Sequence, residues 1–201
     1  MAGSKRLEGD ILIKAKKMLA DVADILDISG IKYVLEAGTL LGIVRENRLL
    51  PWDNDVDITI TEKYEKKLLR NRWSFWLKGY RFYVRRYKRD TGPFKRGQVR
   101  IIRIQTRRLI FVKDMSLLDI FIKRPIGDEY YWTVDVKRPV LKATPKHFYD
   151  EIKTLEFEGK HYSVPQDTEG YLAYHYGKDW RTPVKTWNFR TDDFSVKEIL
   201  D

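Results

Sequence analysis

The stretch from Glu36 to Ile60, EAGTLLGIVRENRLLPWDNDVDITI, constrains the fold more than any other part of this chain. Near its end Val56, Ile58 and Ile60 alternate with Asp55, Asp57 and Thr59, which predicts a strand with one apolar and one polar face. Residues i and i+2 of a strand share a face, so Asp55 and Asp57 point the same way, roughly 6.5 Å apart. Two carboxylates so placed repel each other, and a divalent cation or a raised pKa relieves them. Hard oxygen ligands suit Mg²⁺, which is typically held by one or two carboxylates together with substrate phosphates. Upstream, Gly38-Thr39 reads as a turn whose backbone N–H groups can cradle a phosphate, with Thr39 capping a short helix from Leu40 to about Arg45. Asp53 precedes the strand and reads as a loop residue. A phosphate grip beside an acidic pair points to phosphoryl transfer from a nucleotide.

A second acid stands out for its surroundings. Ser116 to Lys123, SLLDIFIK, is an apolar run that predicts a buried strand, and Asp119 interrupts it. Alone, a buried Asp is most often an ion-paired core group. Beside the Asp55/Asp57 pair it becomes the third carboxylate that two-metal phosphoryl transfer uses, able to bind metal and to help deprotonate an attacking hydroxyl. Arg45 ends the helix whose start faces the phosphates, which makes it a candidate phosphate contact. His147, His161 and His175 have no metal-ligand spacing.

Around these residues the pattern predicts an N-terminal helix over Gly9–Ile31, a strand over Lys32–Ala37 and a helix from Glu62 to about Lys78. Further strands are predicted over Tyr80–Tyr87, Val99–Gln105 and Leu109–Val112, with an edge strand over Tyr130–Val136. A hairpin over Glu156–Pro165 turns at Gly159, a short helix over Glu169–Tyr176 stops at Gly177, and a polar tail is expected to wrap the surface. The architecture expected is α+β: one mixed sheet with helices packed on it, in a single domain over 1–201. Its core covers about 32–183, with an N-terminal helix at 9–31 and a tail at 184–201.

With no cysteine, disulfides, thiol nucleophiles and thiolate zinc sites are excluded. The N-terminus lacks the apolar core of a signal peptide, and no stretch is long and apolar enough to predict a membrane span, so a cytoplasmic protein is expected, with peripheral contact at the inner membrane face. The net charge of +10 fits attraction to an anionic nucleotide, a polyanionic acceptor or an anionic membrane. Without a zinc-finger, RNP-type or helix-turn-helix signature, nucleic acid is not the expected partner.

These residues carry a resemblance. Gly38-Thr39, then Asp55-Val56-Asp57-Ile58, then Asp119 resemble the nucleotidyltransferase superfamily pattern. More narrowly, GTLLGIVRENRLLPWDNDVDI is similar to the LicD family block, with Gly38 to Gly42, Arg45 and Pro51 to Asp57 all in place. LLDIFI around Asp119, FEGKHYSVP at 157–165 and YLAYHYGKDWRTP at 171–183 are similar to later family segments. Asn54 departs from the family, where another Asp is common. The basic segment between Tyr80 and Arg108 matches no family motif.

The resemblance implies a phosphotransferase that moves a phospho-alcohol, such as phosphocholine or ribitol phosphate, from a CDP-linked donor to a glycan or lipid-linked glycan hydroxyl, as in lipopolysaccharide or teichoic acid modification. Asp55, Asp57 and Asp119 would then hold Mg²⁺ or Mn²⁺ and carry catalysis, and Gly38, Thr39, Arg45 and Trp52 would bind substrate. The alternative is a nucleotidyltransferase that moves a nucleoside monophosphate from an NTP to a small molecule, protein or RNA.

Overall fold

The computed structural model describes residues 6–107, 113–184 and 187–200. Helix α1 (Gly9–Ile28) leads to β1 (Val34–Leu35), α2 (Ala37–Glu46) and β2 (Val56–Thr61). A 3₁₀ turn (Glu62–Tyr64) and the short helices α3 (Glu65–Arg70) and α4 (Arg72–Leu77) precede β3 (Tyr80–Arg86), β4 (Val99–Arg107) and the long β5 (Lys113–Ile126). Then come β6 (Glu129–Val134), β7 (Val140–Pro145), α5 (His147–Asp150), β8 (Ile152–Phe157), β9 (Lys160–Pro165), α6 (Thr168–Tyr176) and β10 (Val196–Ile199).

The fold is α+β, as expected, and β5 is its spine. Over its first part β5 runs parallel to β2 and antiparallel to β4, giving the order β3-β4-β5-β2-β1. Its last three residues pair instead with β6, and β6, β7 and β10 extend a second antiparallel wing. A separate hairpin, β8-β9, turns through Glu158 and Gly159, both at positive φ, the geometry a two-residue hairpin loop demands.

Alternation decides what each face of the sheet meets. Val56, Ile58 and Ile60 of β2, Leu118, Ile120 and Ile122 of β5, and Ile102 and Ile104 of β4 are buried in one core with Met18, Leu19, Val22 and Leu26 of α1. The polar set on β2, β5 and β4 is thereby turned to the other face.

Several elements differ from expectation. The first helix stops at Ile28, since Ser29 caps it and Gly30 turns at φ +57°. Only Val34 and Leu35 of the strand expected over Lys32–Ala37 pair. The helix expected from Glu62 begins as a 3₁₀ turn and bends at Asn71. The strand at Tyr130 is interior, because β7 pairs along its outer side. The tail forms β10 on the sheet rather than only wrapping the surface. The strand expected over Leu109–Val112 lies outside the described residues.

Candidate active site

Three carboxylates converge on the polar face. Asp57 of β2 lies beside Asp119 of β5 in the parallel register, one strand spacing of about 4.8 Å away. Asp119 in turn lies opposite Arg103 of β4, whose Nη2 sits 3.1 Å from its Oδ2. Asp55 precedes β2 by one residue, close enough for its charge to raise both Asp57 and Asp119. Together with Asp53, Gly38, Arg45, Trp52 and Trp180 they line a cavity of about 620 Å³.

The backbone around Asp57 is clamped from both sides. Its N–H donates to Thr39 Oγ1 at 2.9 Å, and its C=O accepts from Glu36 N at 3.0 Å. Thr39 is therefore no cap: helix α2 starts two residues earlier behind Glu36, and the Thr39 hydroxyl is spent on the strand. Thr39 is buried and Gly38 lines the cavity. A β-carbon on residue 38 would collide with the Asp53 carboxylate, and one on residue 42 would come within 2.6 Å of Arg48 O. Close approach of backbone thus demands Gly42, while a side chain at 38 would have to displace the Asp53 carboxylate. The Asp53 carboxylate lies over the α2 N-terminus, the place where a phosphate grip was expected.

The electrostatics set these acids apart. Burial raises Asp57 well above the usual carboxylate range, and Asp55, Asp119, Glu36 and Asp53 raise it further. Burial raises Asp119 to about 6 despite the opposing Arg103. Asp53 is raised to about 6 by burial and Asp55. Asp55 is raised by burial, with Arg103 opposing. Asp119 Oδ1 is buried and has no hydrogen-bond partner among the described residues. Among the same residues no three His, Asp or Glu side chains are gathered tightly enough to form a ready-made coordination group. The donor set is nevertheless all hard oxygen, and its mutually repelling carboxylates, with Asp119 Oδ1 unpartnered, fit a divalent cation.

Arg45 lines the wall, where Glu46 accepts from its Nε at 3.0 Å and its Nη2 at 2.6 Å. Trp52 lines the cavity and is 51% exposed, leaving a ring face for a ligand. His175 is buried and hydrogen-bonds Asp193 at 3.1 Å and Thr144 at 3.4 Å, a structural role.

Sequence reasoning missed four contributors. Glu36 lies deep in the cavity, ion-paired to Lys123 at 2.8 Å and accepting from Thr59 Oγ1 at 2.7 Å and Tyr171 Oη at 2.8 Å. Lys123 also contacts Tyr149 and lies 3.4 Å from the centroid of Trp132. Arg103 braces Asp119, and Asp193 brings the tail to the cavity wall through its 2.5 Å ion pair with Lys142. The available signal was a charge inside an apolar strand: Arg103 in IIRIQ and Lys123 at the end of SLLDIFIK stand out as Asp119 does.

Comparison with known proteins bears on this cavity. The family described as LicD/FKTN/FKRP, nucleotidyltransferase domain, matches residues 30–167, which include every carboxylate above except Asp193. The Ribitol-5-phosphate transferase FKTN of Homo sapiens is 28% identical over 189 residues, 91% of this chain and 36% of that protein. The Uncharacterized protein RP689 of Rickettsia prowazekii is 35% identical over 176 residues, 85% of this chain and 57% of that protein. The Ribitol 5-phosphate transferase FKRP of Homo sapiens is 46% identical over 39 residues, 19% of this chain and 8% of that protein. The chain thus spans about a third of the length of the first of these relatives and just over half of the second.

Proposed function

This chain belongs to the LicD/FKTN/FKRP family, and we propose that it is a metal-dependent phosphotransferase moving a phospho-alcohol from a CDP-linked donor to a glycan hydroxyl. The observation that carries this reading is the side-by-side placement of Asp57 and Asp119, only partly offset by Arg103 and open to a cavity large enough for a nucleotide. Asp55, Asp57 and Asp119 would hold Mg²⁺ or Mn²⁺. Bound there, the cation would neutralise the donor diphosphate and stabilise the charge that develops on the leaving oxygen.

The chain's own residues do the rest. The acceptor hydroxyl oxygen bonds to the phosphorus carrying the alcohol as the bond from that phosphorus to the bridging diphosphate oxygen breaks, and CMP leaves with the electron pair. The hydroxyl proton passes to Asp119, whose Oδ1 has no hydrogen-bond partner among the described residues. Arg103 fixes the carboxylate for that transfer. Trp52 offers a stacking surface for the base, while Gly38 and Arg45 face the donor. Thr39 acts at one remove by fixing the Asp57 backbone.

A donor screen tests the reading: CDP-choline, CDP-ribitol, CDP-glycerol and the four NTPs, each with Mg²⁺ or Mn²⁺ and a glycan acceptor. CMP release from a CDP-alcohol supports it. Pyrophosphate release from an NTP assigns the nucleotidyltransferase alternative instead. Turnover that survives chelation of all divalent ions removes the metal from the mechanism.

A further inference from the structure

Helix α4, RWSFWL, turns its largest side chains outward. Phe75 is buried against Phe82, ring centroids 4.9 Å apart. Trp73, Trp76 and Leu77 are 60%, 46% and 77% exposed. They occupy positions i, i+3 and i+4 and so adjoin on one side of the helix. The two indoles meet edge to face at 6.2 Å. One exposed apolar residue is ordinary, but two tryptophans and a leucine forming one exposed patch mark a contact surface.

The surroundings of the patch are basic. Arg72 lies 5.4 Å from the Trp73 ring and Arg107 lies 5.2 Å from the Trp76 ring, Arg107 also donating to Trp76 O at 2.6 Å. Lys66, Arg70 and Lys78 are exposed beside them. The nearby acids are engaged: Asp21 by Lys17, Lys78 and Tyr80, and Glu62 and Glu65 by Arg124. Arg70 and Arg72 have no carboxylate partner among the described residues.

We propose that this face docks on an anionic membrane surface, with Trp73, Trp76 and Leu77 seated among the headgroups and Arg70, Arg72 and Arg107 against lipid phosphates. Indoles favour the interfacial layer, and cations near an anionic leaflet add attraction. Trp73, Trp76 and Leu77 line neither of the two cavities described, so the patch presents no pocket for a peptide side chain. A guanidinium already lies over each indole, which leaves little room for nucleic-acid bases to stack. No helix among the described residues is long and apolar enough to cross a membrane; the contact proposed is a peripheral one, made by α4 at the surface. Docking through α4 would hold the carboxylate cavity near the bilayer, since Arg103 and Arg107 lie roughly 13 Å apart along β4. That corollary rests on the proposed transfer reaction; the docking itself does not.

Sedimentation of the full chain with vesicles tests the proposal, without donor or acceptor present. One set contains equimolar phosphatidylglycerol and phosphatidylcholine, the other phosphatidylcholine alone. Binding should favour the anionic vesicles and should collapse at 1 M salt, where the Debye length is about 3 Å. The triple substitution W73A/W76A/L77A should weaken binding at least about tenfold and abolish fluorescence quenching by brominated lipid, with an unchanged circular dichroism spectrum. R70Q/R72Q should weaken it about fivefold per cation removed. Failure of the parent chain to bind, or equal binding by the triple variant, overturns the proposal. So does equally tight binding of single-stranded RNA that the same triple substitution abolishes, which would give the face to nucleic acid.

Discussion

Two clusters of buried charge share one face of the sheet, and they are built on opposite principles. In the first, Glu36 meets Lys123, Thr59, Tyr149 and Tyr171, so each charge has a partner and each lone pair a donor. Burial alone would raise Glu36, but the Lys123 charge, then His175 and the hydrogen bonds, hold it below its ordinary value. Burial lowers Lys123 to about 8, which leaves it protonated at neutral pH. In the second cluster Arg103 opposes the shifts of Asp55 and Asp119, with Arg100 adding a smaller pull on Asp119, yet Asp55, Asp57 and Asp119 are all raised. The clusters' anchors lie close along the strands: Asp57 and Thr59 are two positions apart on β2, and Asp119 and Lys123 are four apart on β5, with Phe121 between them. A buried charge that the fold neutralises holds structure, whereas one left uncompensated awaits a ligand.

The largest break in this contrast should come from Asp57→Asn. Turnover should fall about 10³-fold or more, because the lost carboxylate would hold the cation that offsets the charge developing at the reacting phosphate. The metal-free fold should be as stable as the parent or slightly more so, since one repelling charge is gone. Steady-state kinetics and urea unfolding in chelator check both halves. Near-normal activity at saturating Mg²⁺ would remove Asp57 from the metal site.

The compensated cluster should respond in reverse. Lys123→Met leaves Glu36 buried without its cation and should cost about 3–5 kcal/mol of stability. Replacing both partners, Glu36→Leu with Lys123→Met, should cost less than the single change, because no charge is stranded. Urea midpoints of the three variants decide it. A double variant weaker than Lys123→Met would mean that Glu36 is held by its hydroxyl donors alone.

How much of this was legible in the sequence follows from how far each residue's partners lie along the chain. The DVDITI alternation placed Asp55 and Asp57 on one face, and SLLDIFIK placed Asp119 in a buried strand, because both patterns are local. Thr39 was misread for a physical reason. Threonine is a favoured cap, but here its hydroxyl is taken by Asp57 N–H, eighteen positions away. Strand β7 was missed because Pro139, Pro145 and Lys142 make it read as a loop. Lys142 can be buried there only because Asp193, far along the tail, neutralises it. With β7 unseen, β6 was bound to read as an edge.

Asp119→Asn sharpens the contrast further, since Asp119 is ion-paired to Arg103 yet keeps one oxygen orphaned. As a base for the acceptor, its loss should lower kcat about 10²-fold. Donor affinity should change much less, because Gly38, Arg45 and Trp52 remain. Calorimetric CDP-donor binding beside kcat separates the two. An unchanged kcat would return Asp119 to the structural class of Glu36.

The smallest effect is a pH dependence at Asp53. Its folded pKa of about 6 exceeds the ordinary value of 3.8, with burial the main cause and Asp55 next. The unfolded chain therefore binds fewer protons than the folded one between those values, and stability from this group falls as pH rises from about 4 through 6. No hydrogen bond to its carboxylate is lost on amide substitution, since the carboxylate lies against Gly38 with no donor among the described residues. Asp53→Asn should then stabilise the metal-free protein at pH 8 by up to about 3 kcal/mol, the ceiling set by that displacement. The gain should shrink steadily as pH falls and vanish near pH 4. Urea unfolding in chelator at three pH values measures it, and a gain independent of pH would mean that packing over the α2 N-terminus, and not charge, separates Asp53 from its neighbours.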